Sequence, residues 1–227
     1  PTETDVNMTF TDSRTGVVIS NIVHTLNYRG NPDTMYLDPS YSYDLKVHTI
    51  PPIYKKNIEL TAGIHNTIAI EAAQGFLKLK IDGITNYKNL QALVMDRRTN
   101  EILNVQDFNT QQKYLVNDYN IELLTLPRIT QENVAVQQNK TTTLQVQQPG
   151  KLNIITRNML IIGVYRVQNG ELEMVKNLKL NSNQNITVLQ PGDYKLIYRD
   201  AAIKESNSTK TLDFSIKSGI MKHLNIK

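Results

Sequence analysis

A repeated tyrosine is the feature that most constrains how this chain can fold. Tyr119 follows Tyr43 by 76 positions and Tyr194 follows Tyr119 by 75, and each lies in a short run of alternating apolar and polar side chains. Alternation with a period of two is typical of a β-strand that buries one face. The near-constant spacing of these strands predicts three copies of one structural unit.

Two further features recur in the same order after each tyrosine. Eight or nine positions after the tyrosine the chain has proline in the first two copies, at Pro51 and Pro127, and the third copy has Ala201-Ala202 in that region. Proline cannot donate to a sheet ladder, so it marks a strand end or an edge. More alternating segments follow at residues 67–71, 143–147 and 211–215. Because glycine adopts positive φ readily and proline fixes a turn, we expect turn residues beside the repeated strands at Gly75, Pro149, Gly150, Gly192 and Gly219.

The pattern predicts an all-β fold made of tandem small Ig-like or prealbumin-like β-sandwich repeats. The dipeptide Asn169-Gly170 between two apolar runs indicates a hairpin, and no segment has a convincing helical period. We expect β-sandwich repeat 1 at residues 1–74, repeat 2 at 75–149 and repeat 3 at 150–227. Residues 224–226 either begin a further unit or complete the third. Units this small are marginal alone, so neighbours should pack in series.

Composition excludes several functions. The chain has no cysteine, which removes disulfides, zinc–cysteine sites and thiol nucleophiles. The net charge of +4 comes from scattered and locally balanced charges, so we do not expect nucleic-acid binding. No apolar run approaches the roughly 18 residues of a transmembrane helix. The chain begins at Pro1 without a signal-peptide pattern, which indicates a processed piece of a longer protein.

No combination of residues predicts an active site. The four histidines have no metal-ligand spacing, and no serine lies in a Gly-x-Ser-x-Gly elbow. The residues considered are His24, His48, His65, His223, Ser13, Ser20, Ser42 and Ser218. Glu171 and Glu173 should share a solvent-facing side of a strand. We therefore predict no enzyme activity, no catalytic residue, no cofactor and no metal.

Acidic and amide side chains in loops have a simpler interpretation. Asp33 and Asp193 are expected to shape turns through their own backbone. The loop at residues 181–185 offers amide and hydroxyl oxygens but no carboxylate, so a polar loop is favoured and weak calcium binding stays an alternative.

The 11 tyrosines allow two interpretations. A tyrosine that recurs at Tyr43, Tyr119 and Tyr194 is expected to be structural, with its ring in the core and its hydroxyl bonded to backbone, as in a tyrosine corner. Less regular tyrosines could be exposed and bind sugar rings, although the absence of tryptophan weakens that interpretation. These are Tyr28, Tyr36, Tyr41, Tyr54, Tyr87, Tyr114 and Tyr165.

The order of glycine, strand, hairpin, Pro-Gly-Asp-Tyr, strand and proline corner resembles bacterial prealbumin-like and PEGA-type modules and carboxypeptidase-regulatory-like repeats. Residues 190–194 (Gln-Pro-Gly-Asp-Tyr) carry the likeness best, and the other copies keep only the tyrosine. Residues 48–52 and 65–68 make the chain similar to regions that follow von Willebrand factor A-type domains in secreted Bacteroidetes proteins. The Asp-x-Ser-x-Ser metal signature of that domain is absent.

This resemblance implies a non-catalytic accessory region of an exported bacterial surface protein, involved in adhesion or assembly. The localisation that it implies is extracytoplasmic: periplasm, cell surface or secreted. The expected partner is a protein, with an upstream von Willebrand factor A-type domain in the same chain as one candidate. The alternative function is a carbohydrate-binding module that uses exposed tyrosines.

Overall fold

Alternating side chains give each sheet one buried and one exposed face. The computed structural model describes residues 5–32, 34–83, 87, 90–180 and 185–226. In β3 (Tyr43–Val47), Tyr43, Leu45 and Val47 are buried, and the intervening Asp44 and Lys46 are half-buried. Within the described residues the regular structure is eighteen β-strands and one turn of 3₁₀ helix at Ser206–Ser208. The predicted all-β fold class is therefore confirmed.

The first strand group forms one antiparallel sheet in the order β2-β1-β3-β4. Its strands are β1 (Val6–Asp12), β2 (Val18–His24), β3 and β4 (Ile53–Ile58). One face of the sheet covers a cluster of six buried residues, Val6, Phe10, Tyr43, Leu45, Val47 and Ile58.

The second strand group forms a four-stranded sheet, β10-β9-β6-β7, and a three-stranded sheet, β11-β5-β8. Its strands are β5 (Gln74–Ile81), β6 (Gln91–Asp96), β7 (Ile102–Asp107), β8 (Gln111–Leu115), β9 (Asn117–Leu123), β10 (Ile129–Val136) and β11 (Thr141–Val146). The β5–β11 pair is parallel and the other pairs are antiparallel. Buried residues from both sheets share one cluster.

The third strand group has the same connection order, with sheets β14-β13-β16-β17 and β15-β12-β18. Its strands are β12 (Gly150–Thr156), β13 (Leu160–Gln168), β14 (Glu171–Leu180), β15 (Asn185–Leu189), β16 (Gly192–Asp200), β17 (Lys210–Ile216) and β18 (Met221–Ile226). The β12–β18 pair is parallel, like β5–β11. Residues 224–226 thus complete this group.

The structure corrects two strand assignments made from the sequence. Residues 67–71 form no strand, although Ile68 and Ile70 pack on the cluster of the first group. Residues 211–215 lie in β17, whereas the counterpart of β11 is β18. The connection between β16 and β17 is long and spans residues 201–209. The third alternating segment of the sequence therefore falls on β17, one strand earlier than the counterpart of β11. Leu212 alternates with the buried Phe214 and Ile216 in this segment but is itself 37% exposed on the edge strand β17.

Candidate functional site

The three repeated tyrosines have the same environment. Tyr43, Tyr119 and Tyr194 lie in β3, β9 and β16, and none is more than 1% exposed. Their hydroxyls donate to the carbonyl oxygens of Asp38, Leu115 and Gln190, at 2.8, 2.8 and 2.7 Å. Burial raises the pKa of each phenol above its ordinary value of 10.0, so each hydroxyl stays a neutral donor.

Two of these carbonyl-bearing residues also contact the preceding strand group. The Leu115 N–H donates to the Ile50 carbonyl at 2.8 Å, and the Gln190 N–H donates to the Leu126 carbonyl at 2.8 Å. Ile50 lies seven positions after Tyr43, and Leu126 lies seven after Tyr119. The same main-chain hydrogen bond therefore links the first group to the second and the second to the third. We call these two contacts the first and second junctions.

Each junction also has an apolar contact. Ile50 packs against the buried cluster of the second group, and Leu126 packs against that of the third. The second junction includes Tyr87, whose hydroxyl accepts hydrogen bonds from the Leu126 N–H at 3.2 Å and from Gln190 Nε2 at 3.3 Å. Burial raises the pKa of Tyr87. The side chain ahead of each proline thus belongs to one group by sequence and to the next by packing.

At each junction, a threonine hydroxyl forms a hydrogen bond across the residue that makes the apolar contact. Thr49 Oγ1 donates to the Pro51 carbonyl at 2.7 Å, and Thr125 Oγ1 donates to the Pro127 carbonyl at 2.6 Å. The sequence interpretation used both prolines only as strand ends and missed the residues before them. The available signal was an apolar residue seven positions after the tyrosine, at Ile50 and Leu126. Ala201 holds that position in the third copy and is too small for the same contact.

Gly75 and Gly150, expected in turns, instead lie in β5 and at the start of β12. A β-carbon on Gly150 would stand 2.5 Å from the Lys217 carbonyl oxygen. A β-carbon on Gly75 would overlap the Gln137 carbonyl oxygen. These glycines are required because the β10–β11 and β17–β18 connections pass directly over the strand, and not because a turn needs positive φ.

The other expected turn residues lie close to strand ends. Gly219 lies between β17 and β18 with φ of 69°, which favours glycine. Its N–H donates to the carbonyl of Pro149, the residue before β12, at 3.2 Å. Gly192 is the first residue of β16, with φ of 155°.

The residues considered for catalysis do not assemble into a reactive set. Thr9 Oγ1 lies 2.8 Å from His48 Nε2, and Asn153 Nδ2 lies 3.1 Å from His223 Nδ1. The Ser13 hydroxyl donates to Asp44 Oδ1 at 2.6 Å and not to a histidine. This hydrogen bond and one from the Asn57 N–H lower the pKa of Asp44. A carboxylate so held acts as a structural acceptor within the sheet.

Two kinds of site can be judged from the described parts of the chain: a cluster of metal ligands and a membrane-spanning helix. There, no group of three or more His, Asp or Glu residues could hold a metal ion. No helix among the same residues has the length and apolar character needed to cross a bilayer. Asp33 and the loop residues 181–184, considered for turn formation and calcium binding, lie outside the described residues.

Exposed tyrosines are concentrated in the first group. Tyr28, Tyr36 and Tyr54 are 89%, 104% and 59% exposed, and Tyr41 is 37% exposed. The Arg29 guanidinium lies 5.2 Å from the Tyr28 ring centre, and Lys46 Nζ lies 5.7 Å from that of Tyr54. By contrast, Tyr114 is fully buried and Tyr87 lies in the second junction. Neither belongs to an exposed sugar-binding surface.

No model of a known protein family matches this sequence. No curated protein matches it either. Among solved structures, the chain is similar to the Bacillus anthracis TIE protein, with 14% identity, a TM-score of 0.31 and coverage of 99% of this chain and 47% of that one. The chain thus spans about half the length of that protein.

Two pilins show similar values. The minor pilin GBS52 of Streptococcus agalactiae has 9% identity and a TM-score of 0.31, with coverage of 68% of this chain and 94% of that one. BcpA, the major pilin subunit of Bacillus cereus, has 10% identity and a TM-score of 0.27, with coverage of 98% and 94%. At such values the likeness is one of β-rich architecture and goes no further.

Proposed function

We propose that this chain is a non-catalytic spacer and interaction region built of tandem β-sandwich modules. The modules would occupy residues 1–74, 75–149 and 150–227. The region would form an accessory part of a larger extracytoplasmic surface protein of a bacterium. The PEGA-type and prealbumin-like sequence resemblance motivates the compartment, and makes an upstream von Willebrand factor A-type domain a candidate partner in the same chain.

The observation that carries this proposal is the repeated junction. At each one, a main-chain hydrogen bond and an inserted apolar side chain come from the same two positions of the pattern. A junction that has both a hydrogen bond and a packed side chain restricts the rotation of one module against the next more than a flexible linker does. Only Gln147, Gln148 and Pro149 separate β11 from β12, so the covalent connection is also short. Modules joined in this way form a semi-rigid rod that sets the distance between the domains at its ends.

Small-angle X-ray scattering tests the proposal. A compact globule of 227 residues would have a radius of gyration of about 17 Å. We expect a clearly larger value, with a scattering curve that one conformation fits. Leu126→Asp should broaden the fitted ensemble by breaking the second junction. Leu172→Asp is the matched control, because Leu172 is 46% exposed on β14 and lies in neither junction.

Two results would reject the spacer function. One is a wild-type radius of gyration close to that of a compact globule. The other is a wild-type ensemble as broad as that of Leu126→Asp. Circular dichroism of both variants verifies that each retains its strand content, so that local unfolding is not mistaken for a loosened junction.

Carbohydrate binding is a second candidate, favoured by the exposure of Tyr28, Tyr36 and Tyr54. Aromatic faces that solvent can reach are able to stack on sugar rings. A glycan array tests this function directly. We expect any bound glycan to be lost when these three tyrosines are replaced by serine. The corresponding change at buried Tyr114 would unfold the chain and is unsuitable as a control, whereas Tyr165→Ser serves, because Tyr165 is only half-buried.

A further inference from the structure

The dipeptide Asn169-Gly170 forms the tip of a hairpin in the third strand group and lies in neither junction. Gln168 at the end of β13 pairs with Glu171 at the start of β14, so these two residues alone make the turn. Both have positive φ, at 52° and 82°. Positive φ at both central positions is the requirement of a type I′ turn, which asparagine followed by glycine meets best.

An asparagine followed by glycine can also react with its own main chain. The main-chain nitrogen of the glycine attacks Cγ of the asparagine and closes a succinimide ring. A bond from that nitrogen to Cγ forms, the bond from Cγ to Nδ2 breaks, and the proton of the attacking nitrogen leaves with Nδ2 as ammonia. Water then opens the ring at one of its two carbonyl carbons, which gives aspartate or isoaspartate. Water is the only co-reactant.

The turn leaves this reaction sterically open. A side chain on the residue after asparagine hinders the approach of the nitrogen to Cγ, and Gly170 has none. A β-carbon placed on Gly170 would meet no atom within 4 Å. Asn169 and Gly170 are both exposed, so water reaches the place where the ring would open.

Neither reacting group is held by a hydrogen bond. Within the part of the chain that the structure describes, the Gly170 N–H donates to no carbonyl oxygen, and the Asn169 carboxamide has no partner. The attacking nitrogen and the carboxamide are therefore free to move toward each other.

The other asparagines in comparable conformations differ from Asn169. Five more have positive φ, and each precedes a residue that has a side chain: Asn57, Asn100, Asn109, Asn133 and Asn139. Asn100 is also held, because its Oδ1 accepts a hydrogen bond from Asn120 Nδ2 at 2.8 Å. Positive φ alone thus does not create the reactive arrangement.

A second dipeptide of this reactive type, Asp82-Gly83, is packed. Aspartate before glycine forms the same succinimide with loss of water. Asp82 Oδ1 accepts a hydrogen bond from Gln145 Nε2 at 2.5 Å, and the Asp82 N–H donates to the Val146 carbonyl at 2.9 Å. A β-carbon on Gly83 would stand 2.5 Å from Gln148 Oε1. The fold therefore holds one of the two dipeptides in place and leaves the other free.

We propose that Asn169 is a spontaneous deamidation site of the folded protein, where a succinimide formed with Gly170 opens to aspartate or isoaspartate. The exchange of a neutral carboxamide for a carboxylate adds a negative charge next to Glu171 and Glu173, which are both exposed in β14. The aspartyl product keeps the turn, because Asp-Gly also suits type I′. The isoaspartyl product lengthens the main chain of the turn by a methylene group, which separates Gln168 from Glu171.

Peptide mapping by mass spectrometry tests the site in the 227-residue protein. The folded protein is incubated at mildly alkaline pH, because the attacking nitrogen must lose its proton. The measured quantity is the fraction of each asparagine that becomes aspartate or isoaspartate. Asn169 should convert several-fold faster than Asn100 and the other asparagines with positive φ.

A parallel incubation in urea distinguishes the effect of the fold from that of the sequence. Asn169 should convert in both the folded and the unfolded protein. Isomerisation of Asp82 should be several-fold slower in the folded protein, because its carboxylate and N–H are held there. Asp82 is thus an internal control that needs no substitution.

Two variants support the assignment. Asn169→Asp has no carboxamide to lose and supplies the aspartyl product as a standard. Gly170→Ala should slow the conversion of Asn169 several-fold. Since φ of 82° strains alanine, circular dichroism checks the strand content of Gly170→Ala. If that content is lost, the comparison of folded and unfolded wild type decides.

Three results would overturn the proposal. The first is an Asn169 that stays intact in the folded protein while it converts in urea, which would mean that the turn protects it. The second is faster conversion of another asparagine with positive φ. The third is unchanged hydrogen-exchange protection of Gln168 and Glu171 in purified isoaspartyl protein. None of these results bears on the radius of gyration that tests the spacer function.

Discussion

Replacing Gly150 with alanine should destabilise the third strand group, although local propensity predicts the opposite. Glycine inside a strand costs roughly 0.5–1 kcal/mol relative to alanine, so the substitution alone would stabilise. In this structure the new β-carbon would lie 2.5 Å from the Lys217 carbonyl oxygen, 2.6 Å from Ile216 Cγ2 and 2.9 Å from the Ile220 carbonyl oxygen. Two of these atoms are main-chain atoms, which cannot rotate away.

Overpacking of this kind costs roughly 1–3 kcal/mol, which exceeds the gain in propensity. We expect a net loss of about 1–2 kcal/mol in the free energy of unfolding, or a fall of about 2–8 °C in melting temperature. Urea denaturation and thermal melts followed by circular dichroism measure both quantities. Lys151→Ala, at the next position of β12, is the control and should change stability by less than about 0.5 kcal/mol. If Gly150→Ala is as stable as the wild type or more so, the close approach of the β17–β18 connection is wrong.

Two more predictions concern single hydrogen-bonding groups. Tyr119→Phe should lower the free energy of unfolding by about 1–2 kcal/mol in urea denaturation, because the Leu115 carbonyl loses its buried donor; an unchanged value would show that this hydroxyl is not structural. Asp96→Asn should make stability fall less steeply as pH drops. The Thr99 and Arg98 N–H groups lower the pKa of Asp96, so its stabilisation is present above the ordinary carboxyl pKa of about 4 and is lost as pH falls through the lowered value. Equal slopes for wild type and Asp96→Asn between neutral and acid pH would contradict this.

Strand identity could be predicted from the sequence where alternation was strong and local. Tyr43, Leu45 and Val47 are buried as the period-two pattern requires, and Leu152 and Ile154 are too. Such predictions succeed because the face that a side chain occupies is set within one strand.

Features that depend on distant parts of the chain could not be predicted in this way. The requirement for glycine at Gly75 comes from a connection that begins after β10, more than 60 positions later, so a local interpretation assigned it to a turn. Residues 67–71 alternate as a strand does, but the pattern does not reveal whether a partner strand is present. The roles of Ile50 and Leu126 depend on the neighbouring group, although their common spacing from the tyrosines was visible.

The central claim is that the junctions hold the strand groups in fixed relation, and distances between spin labels test it most directly. The chain has no cysteine, so pairs of cysteines can be introduced without removing native ones. Exposed positions Lys56, Glu132 and Lys210 lie on the corresponding strands β4, β10 and β17. Pulsed electron paramagnetic resonance on the pairs 56–132 and 132–210 should give distance distributions as narrow as the pair 101–132, which lies within the second group. Distributions several times broader than that control would contradict fixed junctions.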